Sequence, residues 1–195
     1  MEFLANSIMR KIERLPEGTP VSAKMLLGLG NRAGVDQALS RLHRRGQLLR
    51  MGRGLYVMPV ESRFGKRAPN PENVVEAFAA QRGETITSSP ATVANALGLT
   101  TQVPVRSIYF TSGRSRKLTL GKQQVELKHA PSWQLGSGVE GEVVRALVWG
   151  GPGKVHETLA ALSKKLSPSE LDSIVQHGSS LPVWMVEPLS RQIHA

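Results

Sequence analysis

Residues 21–59 read VSAKMLLGLG (21–30), NRAGVDQALS (31–40), RLHRRGQLLR (41–50) and MGRGLYVMP (51–59). The order of signals in this stretch predicts a short helix, a turn, a basic helix and a two-stranded hairpin. Ser22 stands where a side-chain oxygen caps a helix running to Leu27, Gly28-Leu29-Gly30 supplies a turn that tolerates left-handed backbone, and Asn31 caps the second helix. Within that helix Val35, Ala38, Leu39 and Leu42 recur at i, i+3, i+4 and i+7, a stripe to be buried. The opposite face then carries Ala33, Gln37, Ser40, Arg41 and Arg44. Beyond Gly46, Gln47–Met51 and Leu55–Met58 read as strands joined by Gly52-Arg53-Gly54. This is the layout of a winged helix-turn-helix, which lays its second helix in the major groove of duplex DNA. Small and polar groups beside arginines suit a groove, and a lone arginine at a wing tip reaches a phosphate or a minor groove. The side chains expected to meet DNA are Ser22, Lys24, Asn31, Arg32, Gln37, Ser40, Arg41, Arg44, Arg45, Arg50 and Arg53.

The net charge of +10 is concentrated on this part of the chain. Up to Ala68 there are 13 Lys or Arg against 5 Asp or Glu; beyond it there are 12 against 10. Charge placed this way neutralises phosphates and releases counterions, whereas charge serving solubility alone would be spread more evenly. The absence of cysteine excludes disulfides, thiol nucleophiles and Cys-ligated zinc, and fits a reducing cytoplasm. The chain begins Met-Glu-Phe-Leu-Ala-Asn, with an early acid, no basic lead and no apolar run of signal or spanning length, so a soluble cytoplasmic protein is expected.

The expected fold class is α+β. Leu4, Ile8, Ile12 and Leu15 form the stripe of a first helix that ends at Pro16-Glu17-Gly18-Thr19-Pro20, completing a DNA-binding domain over residues 1–60. Residues 61–71, with prolines and the charges Arg63, Lys66 and Arg67 but no apolar period, are expected to be a linker. Those charges read either as a solvated linker or as a basic strap along the DNA backbone. Residues 72–195 alternate element types, as a mixed domain with a small antiparallel sheet and terminal helices does. Pro71–Arg82 is expected to be helical with Val74, Val75 and Phe78 inward, Thr85–Thr87 a strand, and Pro90–Leu97 a helix closed by Gly98. A turn at Gly121-Lys122 would set Leu118 opposite Val125 and Lys117 opposite Glu126. Farther on, Glu140–Trp149 reads as a buried helix ended by Gly150-Gly151-Pro152-Gly153, and Val155, Leu159, Leu162 and Leu166 as the next stripe. Ser167-Pro168-Ser169-Glu170 is a capping box, and the helix from Leu181 to Ile193 must bend or restart at Pro188.

Signals for catalysis are sparse, so no catalytic residue, metal or cofactor is expected. Glu126-Leu127-Lys128 has the Glu-x-Lys half of a metal-dependent nuclease, but that chemistry needs a second carboxylate and the only aspartates are Asp36 and Asp172. A cross-strand pair with Lys117 explains Glu126 more simply. Gly150-Gly151-Pro152-Gly153-Lys154 lacks the spacing of a phosphate-binding loop. His129, His156 and His177 sit on separate elements with no partner at i, i+4, as surface histidines do. One basic cluster, Arg106, Arg114, Arg116, Lys117, Lys122 and Lys128 with Tyr109 and Phe110 interleaved, has the composition of a surface that binds a backbone and stacks bases. The near balance of acids and bases in this half favours the solvated face of a sheet.

With Val21-Ser22-Ala23, Gly46-Gln47-Leu48-Leu49-Arg50 and Gly52-Arg53-Gly54-Leu55-Tyr56-Val57, followed by Thr111-Ser112-Gly113-Arg114-Ser115-Arg116 and Val125-Glu126-Leu127-Lys128-His129-Ala130, the chain resembles the AbiEi-type antitoxins of bacterial toxin-antitoxin and phage-defence loci. The resemblance implies a winged-helix transcriptional autorepressor that binds inverted repeats of its own promoter. It also implies a C-terminal domain needed to neutralise a nucleotidyltransferase-like toxin, with or without direct contact. Arg114, Arg116, Lys117, Lys122 and Lys128 are the candidate antitoxin or RNA surface. A metal-dependent nuclease and an RNA-binding protein, each delivered by a winged helix, are the alternatives.

Overall fold

Ile8 and Ile12 are fully buried, with Leu4 and Leu15 packed beside them, so the first helix, α1 (Glu2–Ile12), uses the stripe its sequence spacing sets out. The computed structural model describes residues 2–167, 169–170, 173–174 and 181–193. Strand β1 (Val21–Ser22) leads into a 3-10 helix, Ala23–Leu29, which is followed by α2 (Arg32–Arg44), β2 (Leu49–Gly52) and β3 (Leu55–Val57). The three strands form an antiparallel sheet in the order β1-β3-β2, with Val21 opposite Tyr56 and Leu49 opposite Val57. Val35, Leu39, Leu42, Leu26, Leu48 and Tyr56 close with α1 into a core lying wholly within the first 58 residues.

Three local expectations are corrected here. Ser22 does not cap a helix: it is extended, pairs with Leu55 as part of β1, and its side chain makes no cap hydrogen bond. The segment after it is a 3-10 helix running through Gly28 to Leu29, and the turn at Gly30 has φ 173, ordinary extended backbone. The expected linker over 61–71 is mostly an antiparallel hairpin, β4 (Val60–Ser62) with β5 (Gly65–Arg67), in the register Val60 to Arg67, Glu61 to Lys66 and Ser62 to Gly65. Both strands are largely solvent-exposed, so no buried face left an alternation to read.

The chain divides into two units, Met1–Glu84 with Ser115–Leu127, and Thr85–Arg114 with Lys128–Ala195. The division differs from a break at 61–71. Helix α3 (Pro71–Ala80) joins the first unit, capped by the Asn70 side chain accepting from the Glu72 amide and burying Val74, Val75 and Phe78 as expected. Most of the hairpin β8 (Arg116–Leu120) and β9 (Gln123–His129) joins it too, because β8 packs against β2. Its register pairs Leu118 with Val125 and Lys117 with Glu126, the pairing the turn at Gly121-Lys122 sets.

The second unit pairs β6 (Ile86–Ser88) with β7 (Ser107–Thr111) and gathers α4 (Pro90–Ala96), α5 (Gly138–Gly150), α6 (Val155–Ser163) and α7 (Val183–Ile193). Val93, Val143, Leu147, Leu159, Leu162 and Met185 lie at the centre of its core. Helix α5 is buried over Val143–Leu147, as its apolar sequence requires. At the capping box the Ser167 amide donates to Glu170 Oε2 (2.8 Å) and the Glu170 amide to Ser167 Oγ (3.4 Å), and the backbone bond in particular holds the Glu170 carboxyl below the usual carboxylate range. Pro168, Asp172 and His177 lie outside the described residues. Helix α7 runs on through the buried Pro188 as one helix, so of the expected bend or restart the restart does not occur; a proline deletes one rung of the ladder. Among the described residues no helix is long and apolar enough to cross a membrane.

Candidate nucleic-acid interface

Asn31 starts α2 by accepting from the Gly34 amide at 2.8 Å, which fixes where each later side chain points. At about 100° per residue, Val35, Ala38, Leu39 and Leu42 share the stripe that packs on the core, and all four are buried. Ala33, Gln37, Ser40, Arg41 and Arg44 fall on the arc opposite. Ala33, Gln37 and Arg44 are exposed; Ser40 and Arg41 are half-buried at its edges. The helix ends at Gly46, where φ 69 lets the Gly46 amide donate to His43 O (2.9 Å) and the Gln47 amide to Leu42 O (2.9 Å). A side chain there would strain the turn that leads into β2.

His43 was not singled out in the sequence, because its partners are not at helical spacing. Its Nδ1 donates to the Leu48 carbonyl at 3.0 Å, and its ring lies 6.1 Å from that of Tyr56, so it ties the end of α2 to β2 and β3. The hairpin tip presents Arg53 to solvent, and Arg50 is exposed beside it with its Nε donating to Gly52 O at 3.2 Å. Lys24 is exposed on the 3-10 helix; with Ser22, Leu55, Phe78, Gln81 and Arg82 it lines a cavity of about 530 Å³.

Two of the expected contacts serve the helix itself. Arg32 lies beside the buried stripe, off the arc, and its Nε donates to Asp36 Oδ2 at 2.8 Å. The Asn31 side-chain Oδ1 is committed to its cap. Gln37, Ser40, Arg41 and Arg44 on α2 and Arg45 just after it, with Arg50 and Arg53 on the β2–β3 hairpin, remain as the coherent set. The first unit as a whole carries 17 Lys or Arg against 9 Asp or Glu, the second 8 against 6, so the excess stays with this face's unit.

The basic strand cluster is divided between the two units. Arg114 and Lys128 belong to the second unit; Arg116, Lys117 and Lys122 belong to the first. Within β8, Arg116 points to the side of Leu118 and Leu120, where its Nη2 donates to Glu84 Oε1 at 2.9 Å and its guanidinium stands 5.3 Å from the Phe78 ring centroid. Only about a fifth of its side chain is exposed. Lys117 points the other way and pairs with Glu126 at 3.4 Å, the pairing expected from the turn. Lys122 and Lys128 are exposed.

Residues 7–168 match the model of a family of unknown function, DUF6088. The chain belongs to DUF6088. Its fold is similar to that in the crystal structure of the RV2827C protein from Mycobacterium tuberculosis, with a TM-score of 0.56 at 15% identity, over 98% of this chain and 76% of that one. At that identity the likeness concerns the fold alone. No curated protein matches the chain.

Elsewhere in this DUF6088 chain the polar side chains read as structure. His129 Nδ1 donates to Gly113 O at 2.9 Å, and His156 is exposed. Among the described residues no three His, Asp or Glu side chains gather in a form that could hold a metal ion. Arg145, missed in the sequence, is 4% exposed within α5 and donates through Nη1 to Gln134 O (3.2 Å) and Gly136 O (2.7 Å). Burial pushes its pKa below the ordinary arginine value, and Glu142 partly opposes that. It binds the 134–136 segment down beside Gly141, where a Cβ would come within 1.9 Å of Gly136 O. An arginine inside the apolar run Val143-Val144-Arg145-Ala146-Leu147 was the available signal.

Proposed function

We propose that this chain is a sequence-specific duplex-DNA-binding protein whose first unit works as a winged helix-turn-helix, with α2 in the major groove and Arg53 on the backbone. In this reading it is an AbiEi-type antitoxin that represses its own promoter at inverted repeats, and its second unit is needed to neutralise a nucleotidyltransferase-like toxin. It carries out no catalysis.

The observation that carries the proposal is the sidedness of α2. Its stripe is buried, its ends are fixed by Asn31 and Gly46, and the opposite arc offers Gln37, Ser40, Arg41 and Arg44 beside a hairpin tipped by Arg53. Gln reads adenine and Arg reads guanine through paired hydrogen bonds on the major-groove edge, while small side chains admit the helix close to the base pairs.

The test is fluorescence anisotropy with a labelled duplex from upstream of the chain's own gene, in magnesium. Arg44→Ala is expected to weaken binding by about 1–3 kcal/mol and leave the circular dichroism unchanged. Arg53→Ala is expected to weaken specific and random duplexes alike and lower the salt slope by about one unit. Normal binding by Arg44→Ala and Arg41→Ala would remove α2 from the interface, and cleavage of the duplex would replace the repressor with a nuclease.

A further inference from the structure

The hairpin β4–β5 leaves its most apolar side chain in water. Phe64, at the tip, is 86% exposed, although a phenylalanine in a small unit has every reason to bury its ring. The tip is nevertheless ordered: the Phe64 amide donates to Ser62 Oγ at 3.3 Å, and that hydroxyl donates on to Gly65 O at 2.7 Å. The ring is therefore held out by a built turn. Arg63 places its guanidinium 4.7 Å from the ring centroid, and Lys66 and Arg67 are exposed along the next strand. Glu61 is the one acid on the hairpin, facing Lys66 across the ladder at 3.5 Å.

The base of the hairpin is anchored close to the wing. Only Met58 and Pro59 separate β3 from β4, and Pro59 is buried. A ladder of three pairs reaches about 10 Å from that anchor. A ring with cations on both sides in sequence is suited to bases flanked by phosphates: the aromatic face meets a base or wedges between two steps, and the cations hold the backbone on either side. The net positive charge of the hairpin disfavours a basic partner, and an isolated phenylalanine is too small an apolar patch to hold a protein.

We propose that the β4–β5 hairpin is a second DNA-contacting element, in which Phe64 enters the minor groove of the duplex next to the site occupied by α2, while Arg63, Lys66 and Arg67 hold the flanking phosphates. This rests on the reading of the first unit as a duplex-DNA binder. Insertion of the ring unstacks a base step and bends the duplex, so affinity and bending change together.

The experiment uses the full chain, a labelled 40-base-pair duplex from upstream of its gene, a random duplex of equal length and a poly-dT strand. Phe64→Ala is expected to weaken the upstream duplex roughly tenfold at unchanged salt slope, and to abolish the bend read by circular-permutation mobility. Arg63→Ala and Arg67→Ala are each expected to lower the salt slope by about one unit. Phe64→Trp is expected to keep the affinity, and its added emission, taken as the difference from wild type, to be quenched on binding. Phe64→Ala binding and bending DNA like wild type, while Arg44→Ala fails to bind, overturns the hairpin's role and leaves the function standing. Wild type that ignores every duplex overturns both. A loss confined to poly-dT assigns the ring to single strands and overturns the duplex contact.

Discussion

Helix α2 places three arginines in 13 residues, and the hairpin β8–β9 carries Arg116, Lys117, Lys122 and Lys128 over a stretch of similar length. The two regions are comparably rich in cations and put them to different uses. On α2 a helical period of 3.6 sends Val35, Ala38, Leu39 and Leu42 to one stripe, so Arg41 and Arg44 share the opposite arc. On β8 a period of two sends neighbours to opposite faces, so Arg116 goes inward to Glu84 and Phe78 while Lys117 goes outward to Glu126. A cluster in sequence becomes a surface only when the period of its element gathers it.

The largest effects come from testing whether the two regions share one folding unit. Leu39 on α2 and Leu127 on β9 are buried to 0% and 1% exposure. Leu39→Ala and Leu127→Ala are each expected to cost about 2–5 kcal/mol, as core truncations do. Because β8 packs on β2, both substitutions should lower the same urea transition. A Leu127→Ala protein in which α2 melts at its wild-type midpoint would detach the hairpin from the first unit.

How much of this was legible follows from the range of each interaction. The stripe of α2, the cap at Asn31, the cross-strand pairs of β8–β9 and the capping box at Ser167 and Glu170 all rest on neighbours within a few residues or across a tight turn, and the sequence carries them openly. The pairing of Arg116 with Glu84, 32 residues away, and the docking of β8 on β2 depend on the whole chain being folded, and no local pattern announces them. The β4–β5 hairpin was hidden for another reason. Its strands are exposed on both sides, so the alternation that marks a half-buried strand is absent, and its turn chemistry at Arg63-Phe64-Gly65 was masked by the prolines around it. Ser22 looked like a cap because serine before a helical run usually is one; here its backbone pairs with β3 instead.

An intermediate effect separates the two kinds of arginine. Arg116→Ala removes a mostly buried partner from Glu84 and a cation from the Phe78 ring, and is expected to cost about 1–3 kcal/mol of stability. Arg44→Ala, exposed on the arc, is expected to change stability by less than about 0.5 kcal/mol while its loss appears in DNA affinity. Thermal melts and anisotropy on the same two proteins check both. Equal stability of the two would mean that the Glu84 pair contributes nothing, and the contrast between inward and outward arginines would fail. Adding Glu84→Gln should recover part of the loss in the Arg116→Ala background if the cost arises from a largely buried carboxylate deprived of its guanidinium, since a neutral amide is buried at a smaller cost than a charge.

The smallest effect on folding is expected from the outward cations of the hairpin, which makes them the cleanest probe of a second surface. Lys117→Gln, Lys122→Glu and Lys128→Glu together leave Arg116 in place and change only exposed side chains. Gln is used at Lys117 because an acid there would face Glu126 directly across the ladder, and like charges at paired positions destabilise a hairpin. Such surface changes usually cost within about 0.5 kcal/mol each, so the triple variant should fold and should bind the upstream duplex as the wild type does. Growth is then measured with a cognate toxin expressed from a neighbouring gene. Loss of protection at normal folding and wild-type duplex affinity would assign toxin neutralisation to this outward face. Full protection would return the three lysines to the solvated side of a sheet, and their crowding in the sequence would then reflect only the exposure of that face.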